Sequence, residues 1–250
     1  MRFKVVSLLL TSLLASFNLH AKLGIGVGIT HGQSPYQGVS SNPNFLPAYI
    51  SYEGKKGYFR GIEGGLHLWS QGERGKKFTI SALGALRMEG YKASDSDYLQ
   101  GMKKRKWSLD TGLGTALSLG YNRFSARIIT DTLGRHKGYS AGMGYARIIP
   151  VTQKFMLIPS AHATWQSSHL LDYYFGVTNT ETNTAIGRNA YKVKGDVQLR
   201  TSLLANYSFT PNTSLMLIAT LRRLPNNVAD SPLVDNNYVG SVFGAIAFSF

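Results

Sequence analysis

Downstream of residue 22, apolar and polar residues trade places at every step over long stretches, the period-two pattern of a β-strand with two unlike faces. Leu23, Ile25, Val27 and Ile29 alternate with Gly24, Gly26 and Gly28. Phe78, Ile80, Ala82, Leu86 and Met88 oppose Lys77, Thr79, Ser81 and Arg87. Trp107, Leu109, Leu113, Leu117, Leu119 and Tyr121 share one face against Ser108, Asp110, Gly112, Gly114 and Ser118. Phe124, Ala126 and Ile128 oppose Arg123, Ser125, Arg127 and Asp131, and Phe155, Leu157, Ala161, Ala163 and Trp165 oppose Lys154, Ser160, His162 and Thr164. Val197, Leu199, Leu203, Ala205, Tyr207 and Phe209 oppose Asp196, Gln198, Arg200 and Asn206. Less regular strands are expected near 45–52, 57–69, 138–149 and 213–223.

Several of these segments exceed the five or six residues usual for a globular strand and reach the roughly 9–11 needed to cross a bilayer at a tilt. Their apolar faces carry aromatics near the ends, Trp107 and Tyr121 on one strand and Phe155 and Trp165 on another. Interfacial girdles of a transmembrane barrel belong there. Connections alternate in length: tight turns near Tyr121–Arg123, Pro150–Thr152 and Thr210–Asn212, long polar loops near 89–105, 167–190 and 224–236. The predicted fold is all-β, a transmembrane antiparallel up-and-down β-barrel, with short turns in the periplasm and long loops outside. Eleven strands are legible and an even number is required, so the twelfth is expected within 31–44; ten strands is the alternative. The last strand presents Tyr238, Val242, Ile246, Phe248 and Phe250 on one face. It reads as the signal that barrel assembly machinery recognises by β-augmentation.

The first residues change the picture by adding a route out of the cytoplasm. Arg2 and Lys4 precede an apolar core from Val5 to Ala15, and Ala21 offers a small residue before a cut. Residues 1–21 therefore read as a cleaved secretory signal peptide and 22–250 as the barrel domain. With the period-two pattern, this predicts the Gram-negative outer membrane, in contact with its lipid and with lipopolysaccharide. The 250 residues include no cysteine, which excludes disulfides, thiolate metal sites and cysteine nucleophiles. Formal charge is +14, and +12 once Arg2 and Lys4 leave with the signal. That balance favours polyanions, here lipopolysaccharide phosphates. No phosphate-binding loop or nucleic-acid module is recognisable, so no nucleic-acid partner is expected.

If the apolar faces meet lipid, the others face the lumen. Glu63, Lys77, Arg87, Asp110, Arg123, Arg127, Asp131, His162, Asp196, Arg200 and Arg222 then point inward. Two readings stand: an ion-pair network that fills a small barrel, or a solute path whose excess of arginine favours anions. Arg60 and Arg147 fall on nominal lipid faces near strand ends, where long side chains can reach the headgroups. Ser160 with His162, and Ser168 with His169, are the Ser/His pairs to weigh for catalysis, but neither lies in a nucleophile motif such as G-x-S-x-G. Glu63 and His67 share a face without enough further ligands for a metal. No enzyme, metal or cofactor is expected.

Specific strings add a resemblance. Pro35-Tyr36-Gln37-Gly38 followed by Pro47-Ala48-Tyr49, then Tyr174-Phe175-Gly176-Val177, then Ala229-Asp230-Ser231-Pro232-Leu233-Val234 resemble, in order and spacing, motifs of the MipA/OmpV family of outer-membrane proteins. The resemblance implies a barrel that scaffolds peptidoglycan machinery, bringing a lytic transglycosylase together with a bifunctional penicillin-binding protein. Other members are porin-like or adhesive surface proteins, which keeps a small-solute channel with mild anion preference, or a surface interaction protein, as alternatives.

Overall fold

The computed structural model describes residues 22–40, 44–73 and 75–250, and for Lys22 and 44–48 the backbone alone. The expected leader, 1–21, lies outside the described residues. The strands are β1 (Lys22–Gly32), β2 (Asn44–Glu53), β3 (Gly57–Arg60), β4 (Glu63–Glu73), β5 (Lys76–Arg87), β6 (Ser108–Leu119), β7 (Asn122–Asp131), β8 (Tyr139–Arg147), β9 (Ile149–Pro150), β10 (Phe155–Gln166), β11 (Asp196–Thr210), β12 (Thr213–Arg223) and β13 (Tyr238–Ser249). All pair antiparallel with their neighbours in one sheet. β13 returns to β1 from Gly24↔Ser249 to Gly32↔Ser241, which closes the sheet on itself. Closure leaves no free edge, the condition for a sheet to survive in hydrocarbon.

β9 continues β8 beyond Ile148, since Ala146 and Ile149 both pair with β10, so the barrel has twelve staves. The twelfth stave is not in 31–44. It arises because the run 57–69 breaks into β3 and β4 around a turn at 61–62, where Gly61 has φ +65°. Residues 33–40 form a loop with a single bridge, Tyr36↔Val234. The two-residue turn pairs Arg60 with Glu63 on one face, where uninterrupted alternation through 57–69 sets them on opposite faces.

Outward side chains are apolar and exposed: Ile29, Leu66, Leu113, Ile128, Met143, Leu203, Val242 and Ile246 make a lipid-facing band. Trp107, Tyr139, Trp165 and Tyr238 ring one end of it. Tyr52, Tyr121, Phe124, Tyr145, Tyr207, Phe209 and Phe248 ring the other. Long connections, with the two-residue turn at 61–62, leave the first end and the other tight turns leave the second, so the second faces the periplasm. Arg60, assigned to lipid by the alternation, faces inward, paired with Glu53 and lying 4.3 Å over the Tyr58 ring. The break before β4 shifts the parity there. Arg147 is exposed at the periplasmic end of β8.

The lumen is not uniformly polar. On the β8–β13 side, Ile148, Ile158, Leu204, Met216, Phe243 and Ala245 meet Tyr49 in a buried apolar cluster. A twelve-stave barrel leaves an interior too wide for small side chains to span, and these apolar residues fill part of it.

Candidate functional site

At the outer mouth the long loops pack on one another. Leu170, Leu171, Tyr174 and Phe175 follow the i, i+1, i+4, i+5 pattern of one helix face, and α1 (Ser168–Phe175) buries all four. They join Tyr36, Tyr91, Leu99, Met102, Val193, Val228 and Leu233 in one core. Tyr36 stands edge-on to Tyr91 at 4.7 Å and stacks on Phe175 at 5.4 Å. The three motif loops therefore converge on a single feature, the cap. Pro35 and Tyr36 are buried in it, and the Gln37 amide donates to the Leu233 carbonyl at 2.9 Å. Gly38 has φ +70°, which favours glycine there. A Cβ on Gly176 would lie 2.5 Å from the Asp172 carbonyl oxygen, so only glycine lets the chain leave α1 at that angle. Ser231 Oγ donates to the Phe175 carbonyl at 2.6 Å and accepts from the Leu233 amide at 3.2 Å, with Pro232 half-buried between.

Two arginines lock the loops together. Arg188 is buried and spends its guanidinium on three carbonyls, those of Glu181, Tyr98 and Gln100. Arg105 donates to the Tyr173 carbonyl at 2.6 Å and to Glu181 Oε2 at 2.9 Å. Glu181 also accepts from the amides of Lys103 and Thr178 and from the Thr178 hydroxyl. Burial works against its charge, but these donors, Arg105 first, outweigh it and hold the carboxyl down at about 2. Burial, reinforced by Glu89, pushes the Tyr174 hydroxyl well above its usual range. It stays a neutral donor, bonded to the Lys106 carbonyl at 3.2 Å.

Beneath the cap lies a charged layer. Arg87 bridges Asp110 at 2.8 Å and Glu89 at 3.5 Å, and Arg222 holds the other oxygen of Glu89. Ser108 bonds both Asp110 and Asp131. Asp110, Asp131 and His136 lie close enough together to suggest a metal site. Their ligand atoms are already engaged. The Gly138 amide donates to His136 Nδ1, so Nε2 carries the proton and donates to Asp110 Oδ1 at 3.0 Å. Asp131 accepts the amides of Leu133, His136 and Lys137 and tucks in the 132–138 loop. Neither imidazole nitrogen has a lone pair to offer a cation.

Toward the periplasm the lumen opens into a chamber of about 180 Å³, lined from β2 round to β8 and by His162 and Thr164 of β10 and Arg200 of β11. Five fixed cations line it (Arg60, Lys77, Arg123, Arg127, Arg200), with His162, against two carboxylates, Glu53 and Glu63. Glu63 is bonded to Tyr58 at 3.0 Å and to Arg127 at 2.8 Å. Asp196 stands apart at the outer start of β11, bonded to the Val197 amide. Ser160 donates to the Ser202 carbonyl. Neither it nor His162 is joined to the other by a hydrogen bond. Sequence reasoning missed Glu89, Arg105, His136, Glu181 and Arg188. All sit in loops or just past strand ends, where two-residue alternation has no force, and their only mark was charge within otherwise polar connections.

A closed antiparallel barrel with a lipid band, two aromatic girdles and a packed outer cap defines the chain as an outer-membrane β-barrel. The family model described as MltA-interacting protein MipA matches residues 25–250, and the chain belongs to that family. It is 28% identical to the MltA-interacting protein of Escherichia coli K12 over 229 residues, 91% of this chain and 89% of that one. It is 31% identical to outer membrane protein OmpV of Vibrio cholerae over 160 residues, 64% of this chain and 61% of that one. Among solved structures, an outer membrane channel of Pseudomonas putida F1 aligns with 94% of this chain and 97% of its own at 11% identity and a TM-score of 0.48. That likeness is too remote to inform function. OmpV is named an outer membrane protein, neither relative is named as an enzyme, and the outer membrane is this chain's location.

Proposed function

We propose that this barrel is a non-enzymatic anchor in the outer membrane whose periplasmic rim docks a lytic transglycosylase and, through it, a penicillin-binding protein. The observation that carries this reading over a channel is the cap. A core of buried side chains from the long loops lies across the outer mouth, and the Arg87–Glu89–Arg222 layer lies beneath it. A molecule built this way works through its surfaces. A relative covering most of the chain is named for interaction with MltA, which supplies the partner class.

The rim is basic. Lys55, Lys56, Lys76, Arg147 and Lys154 are exposed around the short turns, beside exposed Tyr121 and Val151. No single turn offers the roughly 800 Å² per partner of a stable interface, so a partner must span several turns and present acidic groups to them. At the outer rim, exposed Lys103, Lys104, Lys106, Arg135 and Lys192 suit lipopolysaccharide phosphates. The barrel assembly machinery would meet the β13 face carrying Tyr238, Val242, Ile246, Phe248 and Phe250.

The test is capture from detergent-solubilised envelopes with this chain as bait. Recovery of a murein-cleaving transglycosylase, weakened by the combined Lys55→Glu, Lys56→Glu and Lys154→Glu substitutions, is expected. Recovery of neither a murein hydrolase nor a murein synthase refutes the scaffold. Planar-bilayer recordings should show no conductance steps, and regular anion-selective steps would favour the channel instead.

A further inference from the structure

We propose that the periplasm-facing chamber is a binding site for a small phosphate-bearing anion, held by Arg200 with Arg127, His162 and Arg123. Arg200 is the starting point. It is 6% exposed, its Nε has no hydrogen-bond partner, and no carboxylate among the described residues is ion-paired with it. Arg87, Arg105, Arg127 and Arg222, by contrast, each hold a carboxylate. A buried charge left without a counter-charge carries a heavy desolvation cost, and water alone compensates it poorly.

The neighbours of Arg200 make the demand specific. On one side it sits opposite His162 and on the other opposite Arg222, so both cross-strand partners are cationic or basic. Glu63, in the same chamber, is committed to Tyr58 and Arg127. His162 Nδ1 and Arg123 Nε are also buried without partners. Three donors thus face one cavity with no acceptor assigned to any of them. A planar guanidinium fork with unspent N–H groups matches the oxygens of a phosphate.

Size and access point the same way. An apolar cavity of about 150 Å³ admits benzene, so a chamber of about 180 Å³ holds a phosphate with a small organic group attached. Exposed Lys77 lines it, and Arg123 stands at its edge, bonded through Nη1 to the Gly120 and Asn122 carbonyls of a periplasmic turn. The ligand therefore comes from the periplasm and goes no further, because the charged layer and cap lie above. The chamber is a blind site, not a conduit.

The experiment uses the purified full-length barrel in a neutral detergent, titrated with inorganic phosphate and with glycerol 3-phosphate by calorimetry, in chloride buffer. Saturable binding is expected, weakened about tenfold or more by Arg200→Gln, which removes a bidentate contact, and unchanged by Arg223→Gln, exposed at the outer end of β12. Folding of each variant is checked by the mobility shift of the unheated protein on a gel. Should Arg200→Gln fail that check, Arg123→Gln at the mouth carries the test and must also weaken binding. Phosphatidylglycerol in mixed micelles competes if a lipid headgroup is the natural source and does not if a soluble ester is. Absence of saturable phosphate binding overturns the proposal. So does equal binding by the wild type and whichever of the two variants folds.

Discussion

Removing the Glu181 carboxylate tests whether the cap is locked or merely draped over the mouth. In Glu181→Ala, Arg105 loses its acidic partner, and the amides of Lys103 and Thr178 lose the oxygens they donate to at 2.9 and 3.2 Å. The displacement of this carboxyl from 4.5 to about 2 measures how strongly the folded loops favour its charge. At about 1.4 kcal/mol per pKa unit that corresponds to about 2–3 kcal/mol for a carboxyl buried in the cap. Amide exchange at Lys103 and Thr178 should then quicken by roughly 30- to 150-fold, with little change in the strands. Hydrogen exchange resolved to these two amides is the assay. The same linkage fixes a pH dependence. A depressed carboxyl stabilises fully above its unfolded value of 4.5 and loses that contribution as pH falls through about 2. Peptic cleavage within 97–107 should therefore accelerate as pH drops from 4.5 toward 2, whereas Glu181→Gln should already be cut rapidly at pH 4.5. Unchanged amide exchange in Glu181→Ala, or identical pepsin profiles for wild type and Glu181→Gln, refutes the lock.

Two further outcomes follow from the geometry. Ser231→Ala strands the Phe175 carbonyl and the Leu233 amide in the cap core. It should cost about 1–3 kcal/mol locally and expose 224–237 to protease, and an unchanged cleavage rate counts against it. Deleting Phe250 removes the bond from its amide to the Leu23 carbonyl at the β1–β13 seam, together with an exposed aromatic of the final strand. Less heat-modifiable barrel should reach the outer membrane, and undiminished assembly would show that Phe250 is not read by the machinery.

The barrel was legible in the sequence because lipid imposes a rule on every second residue. One face must be apolar wherever it touches hydrocarbon, and long exposed rows such as Val197, Leu199 and Leu203 cannot be confused with a globular strand. The motif strings were legible as well, though not their purpose. Tyr36, Tyr174 and Ser231 lie far apart along the chain, and nothing local shows that they meet in one cap.

What the sequence determined by itself is thus the two-faced strand, its length and its destination in a bilayer, since these depend on the residue and its immediate neighbours. The tertiary structure decided the rest: where 57–69 breaks to supply the twelfth stave, which way Arg60 turns, and that the long loops meet in one core. It also decided that Arg87, Arg127 and Arg222 find carboxylates while Arg200 does not. Counter-charges meet across the lumen, between strands as remote as Glu63 and Arg127, so their pairing is a property of closure and stagger. Alternation gives each side chain a face, but only the closed ring gives it a partner.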